Sequence, residues 1–284
     1  MSYREVAIVM EPKEAPEAEG VLIRRTIGSE RMVLLDPFLL LDHLSLPMTG
    51  GETNIHGFPR HPHRGIETLT YVLAGQVHHK DSKGNDSRVG APGTQWMTAG
   101  RGIFHEEYFA ADAGGCEGLQ IWFNLPAAEK MKPAAYRAAQ AAEIPEITLE
   151  GGAVVRIVAG TLEGKTGPME GIAVQPTCLE VILPEGATVT LPAPVGETAF
   201  AYLVRGRATF GEGSGSKEAE AARLVVFCDG EGVQVTAGAE GARFLFVTAR
   251  PLREPVLQYR SLVMNTVEEM KQAIEDIEQG VFDR

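Results

Sequence analysis

The sequence contains little cysteine and no long apolar run. Its three cysteines, Cys116, Cys178 and Cys228, lie far apart and form no Cys-x-x-Cys pair. This spacing argues against a disulfide framework and a cysteine zinc site, so we expect three buried, small apolar residues in a reducing compartment. No window reaches the ~20 apolar residues of a membrane span. The N-terminus also lacks an apolar core followed by a small-residue cleavage site. These absences predict a cytoplasmic protein that does not enter a membrane.

Basic residues are also scarce. Lysine and arginine number 26 against 38 aspartates and glutamates, which gives a formal net charge of −12. Nucleic-acid binding depends on basic side chains that neutralise phosphates. The composition therefore argues against direct nucleic-acid binding.

The chain is rich in turn residues, with 32 glycines and 17 prolines spread along its whole length. Short β-branched or aromatic stretches, such as residues 68–73 and 200–204, lie between them. Regular short strands separated by turn residues predict an all-β fold, either a sandwich or a barrel. At the usual ~150 residues per domain, the length suggests two domains.

An internal repeat supports two copies of one β-domain. Residues 70–75 (TYVLAG) recur as residues 201–206 (AYLVRG), 131 residues further along the chain. Each copy follows a proline-containing turn and precedes a polar loop, residues 79–88 and 211–218. We expect one barrel over residues 1–135 and a second over residues 136–262, with a linker in the helix-prone, alanine-rich stretch 126–142.

The last segment, residues 263–284, predicts a short helix. Thr266 and Glu269 have the spacing of a capping box, in which both side chains satisfy backbone N–H groups. Further on, one helical face carries four apolar residues before Gly280, namely Val267, Met270, Ile274 and Ile277. This face is expected to pack on a barrel, with a protein partner as the alternative.

The histidines are confined to the first part of the chain, and none follows His105. In His61-Pro62-His63, two imidazoles at i and i+2 share one face of a strand. His105 and Glu107 repeat that spacing. On neighbouring strands, opposed Cβ atoms lie ~5 Å apart, which allows the four side chains to converge on one metal ion. Pro62 indicates an edge strand, where a missing N–H is tolerated.

The alternative is that each histidine is an isolated surface or core residue, but two such pairs in one small domain favour a metal. Nitrogen and oxygen ligands suit Fe(II), Mn, Ni, Cu or Zn. His78 and His79 point to opposite faces, and both are interpreted as loop-edge residues. Adding 131 to the ligand numbers gives Pro192, Pro194, Thr236 and Gly238, which are not metal ligands. The second barrel is therefore expected to have no such site.

Two long motifs resemble a known family. Residues 57–68 (GFPRHPHRGIET) and 95–107 (QWMTAGRGIFHEE) are similar to the two metal motifs of pirins, and shorter matches extend over the rest of the chain. The resemblance implies a bicupin, in which two cupin barrels face each other and only the N-terminal one holds metal. It also assigns the metal to His61, His63, His105 and Glu107. Glu67 is then expected to lie behind these ligands and not to bind the metal itself.

The resemblance extends to activity. Many bacterial pirin-like proteins are similar to quercetin 2,3-dioxygenases, which cleave a flavonol with O2 and release carbon monoxide. This implies one mononuclear divalent metal, Fe(II) first and Ni, Cu, Mn, Co or Zn otherwise, with Glu107 as general base. A small aromatic substrate would lie against an apolar wall formed by Phe58, Trp96, Met97, Phe104 and Trp122. Animal pirins imply the alternative, an iron-binding, redox-responsive regulator that acts through a protein partner.

Overall fold

The computed structural model describes residues 2–15, 21–46, 56–112 and 114–284. In chain order, its strands begin with β1 (Val6–Met10), β2 (Lys13–Ala15), β3 (Leu22–Arg25), β4 (Phe38–Leu46), β5 (His56–His63), β6 (Ile66–Ala74), β7 (Gln76–Asp81), β8 (Asp86–Gly90), β9 (Gly93–Thr98), β10 (Ile103–Ala110), β11 (Cys116–Asn124) and β12 (Ala135–Ala139). They continue with β13 (Glu146–Thr148), β14 (Val154–Ala159), β15 (Thr161–Leu162), β16 (Lys165–Thr166), β17 (Thr177–Leu183), β18 (Thr188–Pro192), β19 (Thr198–Phe210), β20 (Lys217–Glu220), β21 (Arg223–Phe227), β22 (Gly232–Ala249), β23 (Leu257–Tyr259) and β24 (Leu262–Met264), followed by the helix α1 (Val267–Glu278).

Residues 14–142 and 252–284 form one compact unit, called here the first domain. Its larger sheet has the strand order β12-β9-β6-β11-β4-β3-β2, and its smaller sheet has the order β5-β10-β7-β8. Strand β10 alternates between buried and half-buried side chains. Because alternate side chains of a strand point to opposite faces, β10 directs both His105 and Glu107 into the interior.

Residues 1–13 and 143–251 form the second domain. Its strands follow the order β1-β21-β19-β22-β17-β14-β13, and in addition β18 pairs with β22 and β20 pairs with β19. Its interior is a continuous apolar cluster that includes Val6 of β1, Leu191 of β18 and Phe246 of β22. The first strand of the chain therefore completes the second domain, pairing Val6 with Phe227.

The repeated hexapeptides occupy matching places in the two domains. In the first domain β6 lies between β9 and β11, and in the second domain β19 lies between β21 and β22. The tyrosine of each hexapeptide, Tyr71 or Tyr202, is fully buried. The predicted all-β fold built from two copies of one domain, with a short C-terminal helix, is confirmed.

The alanine-rich stretch, interpreted above as a helix-prone linker, contains a strand. Strand β12 pairs with β9 from Ala135 opposite Thr98 to Ala139 opposite Thr94. Within it, the Tyr136 hydroxyl donates to Gln95 Oε1 over 2.9 Å. These long-range contacts outweigh the helix propensity of alanine, which is the highest of all residues but is still a weak preference that tertiary contacts override.

The cysteines divide into two groups. Cys116 and Cys178 are buried, as expected, whereas Cys228 is exposed at the end of β21, so the prediction of three buried cysteines is wrong. Burial raises the pKa of the Cys116 thiol to about 11 and that of Cys178 still further. Thiols with raised pKa values react poorly. The two buried cysteines therefore act as apolar packing residues.

The C-terminal helix α1 belongs to the first domain. Thr266 and Glu269 form the predicted capping box. Its inward face is formed by Met270 and Ala273 with the partly buried Ile274 and Ile277, whereas Val267 is 53% exposed and does not belong to that face. Val267 is the first residue of the helix and lies at the edge of the packed surface, which explains why it is exposed although it was predicted to pack. Within the described parts of the chain, no helix is long and apolar enough to cross a membrane.

Candidate metal centre

The candidate ligands lie on two antiparallel strands, β5 and β10, of the smaller sheet of the first domain. His105 pairs directly with His61, and Ile103 pairs with His63. The side chains of His61 and His63 share a face because they are two residues apart. Pro62 lies between them on β5, which is an edge strand of this sheet, as its missing N–H requires.

Three imidazoles converge at this place. The Nε2 atom of His61 lies 2.9 Å from that of His63 and 3.0 Å from that of His105. His63 and His105 are buried, and His61 is half-buried. Burial, with a further contribution from the neighbouring histidines, holds the pKa values of His63 and His105 well below their usual range. His63 and His105 are therefore neutral at pH 7, and the neutral imidazole is the form that binds metal.

This donor set fits a transition metal. Among the described residues, His61, His63 and His105 form one group whose ligand atoms lie within 4.8 Å of one another, and His79, His105 and Glu107 form a second. The Nε2 atoms of the three imidazoles face one another, so one bound ion could accept a lone pair from each of them. Imidazole nitrogens with a nearby carboxylate suit Fe, Ni, Cu, Mn or Zn.

Glu107 lies beside the imidazoles but is held by amides. Its Oε1 atom accepts a hydrogen bond from Gln95 Nε2, and its Oε2 atom accepts one from Gln120 Nε2 over 2.7 Å. Thr70 Oγ1 lies 3.4 Å from Oε1. A bulge between His105 and Glu107 shifts the pairing with β5, so that Glu107 lies opposite Phe58. The structure thus brings three of the four predicted ligands into one group and places Glu107 in the second group. His105 belongs to both groups.

His79 is a site residue that the sequence interpretation missed. It was assigned to a loop edge, but β7 continues to Asp81 and His79 is buried. Its Nδ1 atom lies 3.4 Å from His105 Nδ1, its Nε2 atom lies 3.1 Å from Asp81 Oδ2, and its ring stacks on Tyr136 with 4.2 Å between the ring centres. The signal available was the alternation of Val77, His79 and Asp81, which share a strand face.

The contacts of His79 define a hydrogen-bonded chain. If His105 presents the lone pair of Nε2 to the site, its Nδ1–H donates to His79 Nδ1, and His79 Nε2–H donates to Asp81. Metal-binding histidines commonly donate their second ring N–H in this way, which fixes the tautomer and the ring orientation. Glu67, by contrast, accepts from Thr98 Oγ1 over 2.7 Å and lies 3.4 Å from Lys132 Nζ, outside both groups.

A cavity of about 440 Å³ opens beside His61, Glu107 and Gln120. Of the five residues proposed for a substrate wall, Phe58 and Trp122 line it. The other three lie elsewhere. Trp96 packs on Phe123 at 4.9 Å, Phe104 packs on Phe282 at 5.3 Å, and Met97 belongs to an apolar core cluster.

Comparison with known families gives matches over both halves of the chain. The model of the family described as Pirin matches residues 20–123, and the model described as the Pirin C-terminal cupin domain matches residues 178–283. A protein of Pseudomonas aeruginosa that carries a provisional quercetin 2,3-dioxygenase name is 35% identical over 99% of this chain and 98% of its own length.

Solved structures give the same result. The crystal structure of a quercetin 2,3-dioxygenase from Acinetobacter baumannii has a TM-score of 0.90 and 31% identity, and the alignment covers 99% of both chains. The bacterial pirin YhhW from Escherichia coli, solved in complex with nickel(II), has a TM-score of 0.66 at 19% identity over 86% of this chain and 99% of its own. At that identity YhhW supports the cupin fold alone.

Proposed function

The chain belongs to the pirin family, and from that premise we propose that it is a metal-dependent dioxygenase of the quercetin 2,3-dioxygenase type. It would cleave a flavonol-like substrate with O2 and release carbon monoxide. The observation that carries this proposal is the convergence of three buried or half-buried imidazoles beside a cavity lined by Phe58 and Trp122. An apolar pocket with a few convergent polar groups is the usual form of a small-molecule site.

In this proposal His61, His63, His105 and Glu107 hold one mononuclear divalent transition metal, with Fe(II) as the first candidate. Three imidazole nitrogens and one carboxylate oxygen leave positions for substrate, which distinguishes a catalytic site from a structural one. A bound metal of this kind supplies Lewis acidity and the electron transfer that the reaction of O2 with an electron-rich ring requires. YhhW, described as a bacterial pirin, was itself solved with nickel(II), a divalent ion of the kind proposed here.

The protein's own part in the reaction is proton transfer and orientation. The flavonol hydroxyl loses its proton to the Glu107 carboxylate, which lines the cavity and acts as general base. Gln95 and Gln120 orient that carboxylate through their amide N–H groups. Trp122 donates from Nε1 to Gln120 Oε1 over 3.3 Å, so one aromatic wall of the cavity is tied to the base.

Glu107→Gln tests this proposal. The amide keeps the size of the side chain but is a much poorer proton acceptor. We expect kcat for quercetin cleavage to fall ~10²–10⁴-fold, the range that general-base catalysis supplies. Metal content should fall less, because three imidazoles remain. The measurement is quercetin-dependent O2 uptake and carbon monoxide release at matched metal loading.

Glu106→Gln is the matched control, since Glu106 is next to Glu107 on β10 and points to the opposite face. It should leave turnover and metal content unchanged. Equal rates in the wild type and Glu107→Gln would rule out Glu107 as the base. No turnover in metal-loaded wild type would favour the alternative, an iron-binding, redox-responsive regulator with a protein partner.

A further inference from the structure

The cavity beside the imidazoles differs in charge from the rest of the chain. Its lining includes three arginines, Arg25, Arg60 and Arg260, against two carboxylates, Asp42 and Glu107. In the whole chain acidic residues outnumber basic ones by 38 to 26. A cleft with one sign of charge concentrates ligands of the opposite sign. A basic cleft in an acidic protein therefore indicates an anionic ligand.

The charges within the cavity wall are not all available to a ligand. Arg25 donates from Nε and Nη2 to the two oxygens of Asp42, over 2.8 and 2.7 Å. Such a bidentate pair is geometrically fixed and neutral overall. The carboxylate of Glu107 is held by Gln95 and Gln120. Arg25 and both carboxylates are thus already engaged, which leaves Arg60 and Arg260.

Arg60 and Arg260 are exposed, and neither has a carboxylate within ion-pair distance among the described residues. Each instead lies over an aromatic ring. The Arg60 guanidinium carbon is 4.2 Å from the centre of the Phe104 ring, and that of Arg260 is 5.6 Å from the centre of the Tyr259 ring. A ring attracts a guanidinium and holds it in place without neutralising its charge.

We infer that this cavity selects a planar aromatic substrate that carries a carboxylate, bound by Arg60 and Arg260, in addition to the hydroxyl that meets Glu107. The inference rests on the proposed function and names the substrate class of the same site. The planar fork of a guanidinium matches a carboxylate with two parallel hydrogen bonds. A neutral flavonol would fill the same cavity and leave both guanidinium groups unpaired.

The remaining lining suits the aromatic part of such a substrate. Phe58, Trp122, Leu39 and Leu40 provide apolar surface around the cavity. Its volume of about 440 Å³ lies within the range of ~300–1,000 Å³ that is usual for small-molecule sites. The cavity therefore combines an apolar wall with two cationic groups, as an aromatic acid requires.

The test compares two ligands with the same ring system, 4′-carboxy-3-hydroxyflavone, which carries a negative charge, and its neutral methyl ester. Binding to metal-loaded protein is measured without O2 from quenching of tryptophan fluorescence, since Trp122 lines the cavity. At low salt the acid should bind roughly 3- to 10-fold more tightly than the ester, because charge-assisted hydrogen bonds are strong but lose strength with exposure. Added salt should reduce this preference.

The double variant Arg60→Gln/Arg260→Gln should lose the preference for the acid and keep its affinity for the ester. Arg101→Gln is the matched control, because Arg101 is an exposed arginine outside the cavity lining, and it should behave as the wild type. Equal binding of acid and ester by the wild type, or a preference that survives in the double variant, would overturn the inference. A different result would contradict the proposed function and leave the inference standing, namely a preference for the acid with no turnover of either compound.

Discussion

The two domains have the same strand order but differ in the polarity of the side chains in their interiors. The order β12-β9-β6-β11-β4-β3-β2 of the first domain is repeated as β1-β21-β19-β22-β17-β14-β13 in the second. Strand pairing gives the correspondence residue by residue. Glu107 pairs with His79 as Val235 pairs with Phe210, and His105 pairs with His61 as Val233 pairs with Leu191. The same scaffold thus surrounds a polar cluster in one domain and an apolar core in the other.

The correspondence covers every member of the polar cluster. His61, His63, His79, His105 and Glu107 match Leu191, Ala193, Phe210, Val233 and Val235. The amides around Glu107 follow the same rule, since Gln95 matches Val225 and Gln120 matches Phe246. All seven counterparts belong to the apolar cluster of the second domain. The fold itself therefore has no need of polar residues at these positions, which supports our proposal that the polar cluster of the first domain is a functional site.

His63→Ala makes the first domain resemble the second most directly, because Ala193 is the counterpart of His63. We expect metal affinity to fall by more than ~100-fold, since even residues that only support a ligand contribute 10–100-fold. Both domains should stay folded, because apolar burial supplies most of their stability. Metal analysis and circular dichroism measure the two effects.

The control for His63→Ala is His78→Ala, because His78 bonds Asp86 over 2.6 Å and lies on the opposite face of β7 from His79. It should retain the metal. If metal-free His63→Ala protein is unfolded at room temperature, the metal is structural and the site has been misinterpreted.

Val233→His introduces the counterpart of His105 into the second domain. Val233 is fully buried opposite Leu191. A polar ring without a partner and the extra volume each cost about 1–3 kcal/mol, so the free energy of unfolding should fall by roughly 2–5 kcal/mol. Metal content should not rise. Urea denaturation against Val233→Leu, which adds volume without polarity, separates the two costs. Equal stability of the histidine and leucine variants would show that the core accepts a polar group.

His79→Phe tests a subtler difference, since Phe210 is the counterpart of His79. Phenylalanine preserves the stacking on Tyr136 but removes the acceptor for His105 Nδ1–H. Loss of such a partner usually lowers metal affinity 10–100-fold, which is our expectation here. His79→Gln retains an acceptor and should recover part of the affinity. Wild-type metal affinity in His79→Phe would show that His105 does not depend on His79 for its orientation.

The sequence predicts the arrangement of these side chains where its information is local. The i, i+2 spacing of His61 and His63 and the position of Pro62 follow from strand geometry alone. The position of His79 depends on where β7 ends, and a polar hairpin sequence does not define that end. Strand β12 and the pairing of Val6 with Phe227 depend on partners distant in the chain, which no local pattern reveals.

Adding a constant repeat offset to the residue numbers identifies the wrong counterparts in the second domain for a similar reason. The offset of 131 holds from Tyr71 to Tyr202 and from His79 to Phe210, but pairing places the counterpart of His105 at Val233, an offset of 128. The loops between the two positions differ in length, so Thr236 and Gly238, and likewise Pro192 and Pro194, are not the structural counterparts. Only the pairing of strands identifies Leu191, Ala193, Val233 and Val235.

The smallest expected effect is the pH dependence of the metal-free protein. Burial keeps the pKa values of His63 and His105 well below 6.5, so both stay neutral in the folded state as the pH falls below that value. In the unfolded chain both accept protons near pH 6.5, so the unfolded state binds more protons, and stability that is present above pH 6.5 is lost below it. Each histidine contributes at most ~1.4 kcal/mol per pH unit. The second domain has no histidine and lacks this dependence. The measurement is the urea midpoint at pH 7 and pH 5.5 with chelator present, where His63→Ala should lose less stability than the wild type. An equal loss in both proteins would mean that His63 is not the group being titrated and would assign the pH dependence to other residues.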